Sequence, residues 1–394
     1  MPSGKNGCAC GKNEKQRGEY MFSDNNKISI RQIFRLFVFD FVGESTLILP
    51  SALAGFSGND GLFSILLGGV LGSLYLCYLT WVMKRMGTDI ISFMERTHPL
   101  WLQKLIYLIL LIHFVGMSGY GAYMFSDVMK RGLINEESYT LILILVLLVA
   151  GYAVCGGIES RARVYEILFV VLFVLLAVML LMAAKDVEPR YLEGFFQAPP
   201  QRVLEGSLTV FFCLMPLFLV LFFPAYVEKK NWGKMTAAVY GALWFTVGVL
   251  GILYVILLGS FGSASLSTMR YPVITLMSSI HLRGSFLKRL DAFMIGIWFF
   301  TLFALVTVFL FYGQELAQKV IGKEGKKRYL VSVMGLVFLV AEVLYFGESG
   351  ENFRNYLIFV GAPLLLFLPI LLLIVQRITQ ASDNSGKGGE KSEK

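Results

Sequence analysis

Two carboxylates stand inside the first long apolar run of this chain. Asp40 and Glu44 lie within residues 33–56 and flank Gly43 in Phe41-Val42-Gly43-Glu44-Ser45-Thr46. A charge at bilayer depth costs roughly 2.5–3.5 kcal/mol on insertion scales, so intramembrane acids usually face a cavity and mark a pathway or a binding site. Four residues apart, the two share a helical face if the helix is continuous. The chemistry open to them is a proton or cation site, or a clamp on a ligand amine. Asp40 has a plainer reading as the buried partner of Arg35 or of a polar group on a neighbouring helix. Gly43, Ser45, Thr46 and Pro50 suggest an interrupted helix, whose freed N–H and C=O groups can grip the two ends of an amino acid. The competing reading of this small-residue stretch is a packing notch against another helix.

A second group of candidates lies in the third apolar run. His113 is either a packing residue or a proton carrier. Gly116, Ser118, Gly119, Tyr120, Gly121 and Tyr123 follow it, and the two tyrosines can close a pocket by stacking and hydrogen bonding. Trp298 and Thr301 are comparable candidates further along. Ser160-Arg161-Ala162-Arg163 reads as an inner loop that anchors the chain by its charge. Cys77, Cys155 and Cys213 read as core fillers. Cys8 and Cys10 form a lone pair without the second pair that a zinc site requires, so no metal is expected. No phosphate-binding loop, zinc-protease helix or hydrolase triad is present, which argues against an enzyme and leaves no catalytic residue or cofactor to assign.

These residues must be positioned by membrane helices. The chain of 394 residues is 56% hydrophobic, 14% aromatic and 16% charged, against about 25% charged for a soluble domain. Apolar runs near the length of a bilayer crossing give an all-α polytopic membrane protein. Ten spans can be read, at 31–55, 61–83, 101–129, 138–156, 161–184, 203–227, 234–261, 287–318, 328–346 and 355–377. They form a membrane domain over 28–380 between tails, 1–27 and 381–394, expected to be disordered and cytoplasmic. Of the 35 lysines and arginines, 25 fall on the side of the N-terminus and 10 on the other, so the positive-inside rule puts both termini in the cytoplasm. The net charge of +8 follows this sidedness, so it points to no nucleic acid. The outer connection 262–287 is mildly apolar and reads as a half-buried surface helix over an outer vestibule. Span six carries Pro216 and Pro224, and span one carries Gly43 and Pro50. Matching interruptions in two five-helix halves point to a midplane site and to an inverted repeat.

Several short motifs, in order, carry a family resemblance. They are Lys27-Ile-Ser-Ile-Arg-Gln-Ile-Phe34, Gly43 with Leu47-Ile-Leu-Pro50-Ser51, Gly156-Gly-Ile-Glu-Ser-Arg-Ala-Arg163, Tyr271-Pro-Val-Ile-Thr-Leu276, Leu290-Asp-Ala-Phe293 with Trp298, and Tyr312 with Leu316-Ala-Gln318. Over roughly residues 27–378 the chain resembles the spore germination permeases, the B subunits of GerA-type germinant receptors. The resemblance implies the five-plus-five inverted-repeat fold of the amino acid–polyamine–organocation superfamily, with broken first and sixth helices. It implies a place in the inner membrane of a bacterial endospore, beside a membrane A subunit and a lipoprotein C subunit. It also implies a small nutrient ligand, often an amino acid, held near Gly43, Glu44, Ser45, Thr46, Phe211, Cys213 and Met215. The chain departs from the family where Glu44-Ser45-Thr46 replace small or apolar residues, and its Cys8/Cys10 tail has no counterpart. Two other functions fit the same fold: a proton- or sodium-coupled amino acid transporter, and a scaffold that only holds its partners.

Overall fold

The computed structural model of the protein describes residues 27–132, 137–194, 196–279, 290–322, 326–347 and 350–389. Cys8 and Cys10 lie outside them, as does most of the N-terminal tail. The first helix, α1, spans Ile30–Ser57 and opens with a capping box: Gln32 N–H donates to Ser29 Oγ at 3.3 Å, and Ser29 N–H to Gln32 Oε1 at 3.0 Å. Then come α2 (Gly61–Met86), the short α3 (Ile90–Thr97), α4 (Leu100–Gly132), α5 (Tyr139–Cys155), α6 (Gly157–Ala183) and α7 (Pro200–Cys213). After three 3-10 segments follow α8 (Trp232–Thr268), α9 (Pro272–Ser279), α10 (Leu290–Ile321), α11 (Lys326–Phe346), α12 (Gly350–Tyr356) and α13 (Ala362–Gly389).

Among the described residues, seven helical stretches are long and apolar enough to cross a membrane, or eight with the bent pair Pro200–Cys213 and Met215–Ala225. One of the seven, Ile30–Met86, contains both α1 and α2, and α5 is an apolar helix just below the length threshold. The outward faces are apolar, with Ile112, Leu148, Ile167 and Leu181 well exposed, as a lipid-facing surface requires. Cys77 and Cys155, expected as core fillers, also face outward; lipid offers them the same apolar surroundings as a core.

α1 is the central post. It is buried from Leu36 to Thr46 without a gap, and it packs against α6, α7, α8 and α10. Here the structure differs from the sequence reading. The first helix is not broken at Gly43 but runs unbroken through it. Ser45 Oγ donates to Phe41 O at 2.6 Å and Thr46 Oγ1 to Val42 O at 2.6 Å, contacts one turn back that exist only while the helix is intact.

The sixth span is broken as expected. Pro216 and Pro224 supply no N–H, so the ladder past Cys213 tightens to three-residue steps. Leu217 N–H donates to Leu214 O at 3.0 Å and Phe222 N–H to Leu219 O at 2.9 Å. The two halves are bent by 40°, and Leu214–Pro224 is wholly buried.

Turns close the end of the bundle that carries Asp60. Asp60 accepts the N–H groups of Phe196 at 2.6 Å and Ala198 at 2.7 Å. α8 breaks at Gly262, whose φ of 72° only glycine takes up without strain. The chain then enters α9, which buries Val273, Leu276 and Met277 and exposes Thr275 and Ser278, the half-buried surface helix expected there. Elsewhere Lys27 pairs with Glu228 at 3.3 Å and Lys319 with Glu95 at 2.5 Å.

Candidate functional site

Glu44 sits midway along α1, 5% exposed, with no hydrogen-bond or ion-pair partner among the described residues. Tyr120 of α4 and Cys213 at the end of α7 both lie within electrostatic reach of its carboxylate. Three residues chosen from separate apolar runs are therefore near enough to feel one another's charge, close to the break in the sixth span. Tyr120 is also in reach of Tyr123 and Tyr271, and its ring stacks on Phe353 of α12 at 4.7 Å and 18°. A buried carboxylate rimmed by a phenol, a thiol and aromatic faces can bind a proton, a cation or a ligand ammonium.

The neighbours of Glu44 hold the helices rather than expose their backbones. Trp298 Nε1 donates to Thr46 Oγ1 at 2.9 Å, so this hydroxyl ties α1 to α10. Trp298 is 1% exposed and fixed by that bond. A Cβ on Gly43 would lie 2.9 Å from the main-chain carbon of Thr301, which makes Gly43 a packing notch. Ser45 is spent on Phe41 O and Thr301 on Ile297 O at 2.9 Å. The expected backbone clamp at Gly43, Ser45 and Thr46 is thus absent from α1; Leu214, where the sixth span breaks, is the interruption that the described residues retain.

The remaining candidates divide into two places. His113 and Met215 line one small apolar cavity beneath the broken span, with Phe114, Met117, Phe309 and Leu365. His113 Nδ1 lies 3.3 Å from Tyr356 Oη. Phe211 packs edge-on against Tyr75 at 5.7 Å and 86°, on the α2 side of the break.

Asp40 lies one turn before Glu44 on the same face of the continuous α1 and has its own partner. It pairs with Arg161 of α6, not with Arg35, which pairs with Glu166 at 2.6 Å. Arg161 is correspondingly not part of a loop. It lies in the first turns of α6 with its side chain 8% exposed.

Sequence reading missed a further acid. Asp127 of α4 is 1% exposed and accepts from Arg131 Nε at 2.9 Å and Tyr271 Oη at 2.8 Å, with Arg270 Nη2 at 3.2 Å. The same Arg270 nitrogen donates to Tyr123 Oη at 2.6 Å. This cluster ties α4 to the segment that leads into α9. Its signal was an acid inside an apolar run, the same signal that singled out Asp40. Among the described residues no group of three or more His, Cys, Asp or Glu could hold a metal ion.

Comparisons with known proteins bear on the fold and the family. Among solved structures, MhsT in complex with L-phenylalanine shares the fold with a TM-score of 0.65 at 16% identity, covering 88% of each chain. A Na+-coupled sialic acid symporter in a substrate-bound outward-open state gives 0.60 at 11% identity, covering 89% of this chain and 88% of the other. The chain therefore has the all-α fold that these two membrane proteins share. Among curated relatives, spore germination protein YndE of Bacillus subtilis is 23% identical over 91% of this chain and 98% of its own length. Spore germination protein KB of the same organism is 25% identical over 92% and 98%, and spore germination protein A2 is 21% identical over 86% and 93%. A family model described as a spore germination protein matches residues 27–348, and the chain belongs to that family.

Proposed function

We propose that this chain is the membrane-embedded B subunit of a germinant receptor, which binds a small nutrient beside Glu44 and so triggers germination of an endospore. The observation that carries the reading is Glu44 itself: a buried carboxylate without a partner, in a chain of the spore germination family. Such a group is costly to keep unless something cationic visits it. The ammonium of an amino acid would meet Glu44, with Tyr120 and Cys213 within electrostatic reach of the same carboxylate. Ligand binding would shift a conformational equilibrium read by an A subunit and a lipoprotein C subunit. Ten crossings with both termini cytoplasmic, in the inner membrane of the spore, complete the proposal.

The test is a ligand-induced thermal-shift screen of amino acids on the purified chain, repeated with Glu44→Gln. The stabilising nutrient should bind the variant roughly 10- to 150-fold more weakly, the equivalent of about 1.5–3 kcal/mol for a hydrogen bond to a charged group. Equal binding by the variant removes Glu44 from the site. Spores lacking the gene should stop responding to one nutrient class, and normal germination on every nutrient sinks the receptor reading.

The fold shared with Na+-coupled transporters favours a second reading, ion-coupled amino acid uptake. Labelled amino acid accumulating in proteoliposomes, and lost with Glu44→Gln, would select it over the receptor.

A further inference from the structure

Helices α2 and α8 pack antiparallel. Tyr240 Oη donates to Ser73 O at 3.1 Å. A Cβ on Gly72 would lie 3.0 Å from Leu243 Cδ1, and one on Gly69 would lie 2.9 Å from Val247 Cγ2. Residue numbers rise along one helix as they fall along the other, so the end of α2 meets the start of α8. Lys229 keeps this register. Its Nζ is 4.0 Å from where a Cβ on Gly87 would stand, at the left-handed turn that ends α2.

Five exposed cations gather there: Lys84 and Arg85 at the end of α2, Lys229 and Lys230 in the turn before α8, and Lys234 in its first turn. The acids nearby in sequence are already engaged. Glu228 holds Lys230 at 2.8 Å and Lys27 at 3.3 Å, and Asp89 Oδ2 caps α3 by accepting Ser92 N–H at 3.0 Å. Among the described residues Lys84, Arg85, Lys229 and Lys234 pair with no carboxylate.

Charge alone would only mark one side of a membrane. The aromatic neighbours add a depth. Arg85 is free to extend into water, yet its guanidinium carbon lies 5.3 Å from the ring centre of Trp81, one turn back along α2. Trp81 is 46% exposed and continues the outward row of Leu74 and Cys77. Long cationic side chains at the end of a span ordinarily reach away from the hydrocarbon. An arginine folded back toward it is set for an anion at the same depth. Lys229 Nζ is likewise held 5.7 Å from the ring centre of Trp232, whose Nε1 donates to Val227 O at 3.3 Å. The anion that stands where hydrocarbon meets water is a lipid phosphate, and basic pockets between helix ends are where such headgroups bind.

We propose that the end of α2 and the start of α8 form a binding site for an anionic phospholipid. Lys84, Arg85 and Lys229 hold its headgroup, and its acyl chains lie along the row Leu74, Cys77 and Trp81. The site is separate from the nutrient pocket, and it does not depend on which end of the bundle meets the cytoplasm.

The experiment needs no nutrient, so it stands or falls apart from the proposed function. The thermal midpoint of the detergent-solubilised chain is followed as lipid is added. Phosphatidylglycerol should raise it by several degrees, saturably, as binding to the folded state requires. Phosphatidylcholine with the same acyl chains should give a smaller rise, and inorganic phosphate none. R85Q/K229Q removes two exposed charges, and its apparent affinity for phosphatidylglycerol should fall roughly fivefold for each charge lost. R96Q/K104Q removes two exposed charges from α3 and α4 instead and should keep the wild-type response. If the first pair does not fold, the single variants R85Q and K229Q carry the same test.

Four outcomes overturn the proposal. The two lipids may act equally, which leaves the headgroup without a role. Inorganic phosphate may reproduce the rise, the mark of a free-anion site. Affinity may be unchanged in R85Q/K229Q and in both single variants. R96Q/K104Q may lose as much as R85Q/K229Q, the mark of diffuse surface charge.

Discussion

At the scale of single residues, Asp40 and Glu44 share a helix and a type yet have opposite circumstances. Asp40 is matched by Arg161 across a helix junction, whereas Glu44 is matched by nothing among the described residues. A buried pair is weak support for stability, but a buried carboxylate without a partner is a reservoir that function must use. Gly43, between them, is set by shape. A methyl group there would press on the α10 backbone at Thr301, which cannot move as a flexible side chain would. Gly43→Ala should therefore lower stability by about 1–3 kcal/mol, the usual range for overpacking. Chemical denaturation of the solubilised protein checks this; an unchanged midpoint would show that α1 and α10 are free to separate. Ala is otherwise the better helix former by about 1 kcal/mol, so only the clash can give a loss.

At the scale of elements, what the sequence made legible was what depends on missing groups. Pro216 and Pro224 lack an N–H wherever they stand, and the break in the sixth span follows. The continuity of α1 was not legible. Ser45 and Thr46 can serve an unwound turn or bond back to the carbonyls of Phe41 and Val42, and only the packing of Thr46 against Trp298 decides between them. Arg161 was hidden for a similar reason, because a charge beside a span boundary belongs to a loop or to a helix by a margin of a few residues. The meeting of Glu44, Tyr120 and Cys213 depends on three helices and could only be suggested.

The outer closure is also an element-scale device, since Asp127 on α4 receives Arg270 and Tyr271 from the segment that leads into α9. Arg270 is half exposed, so solvent screens its share of the interaction and the Tyr271 hydrogen bond should matter more. Asp127→Asn should speed hydrogen exchange across 270–279 while leaving that of α1 unchanged. Equal exchange in both proteins would mean that α9 is held by its buried Val273, Leu276 and Met277 instead.

At the scale of the whole molecule, the two ends of the bundle can be told apart by what is tied to what. Asp60 reaches Phe196 and Ala198, Glu188 N–H donates to Gly259 O at 2.9 Å, and these tie 58–60, 188–198 and the end of α8 to one face. Ile28 N–H donates to Tyr226 O at 3.2 Å, and Lys27 pairs with Glu228, which place the start of α1 and residues 226–231 on the opposite face. Counting charges had sorted the same segments in the same way, so contact and charge agree on which loops share a side, while only charge says which side is the cytoplasm. Arg190 and Lys230 report on the two faces, with side chains 71% and 78% exposed. In a cysteine-free background expressed in bacterial protoplasts, a membrane-impermeant maleimide should label Arg190→Cys from outside. Lys230→Cys should label only after the membrane is opened. The reverse pattern would invert the bundle. The face that carries Asp127 and Tyr123 would then meet the cytoplasm, and a nutrient arriving from outside the spore could not reach Glu44 from that side.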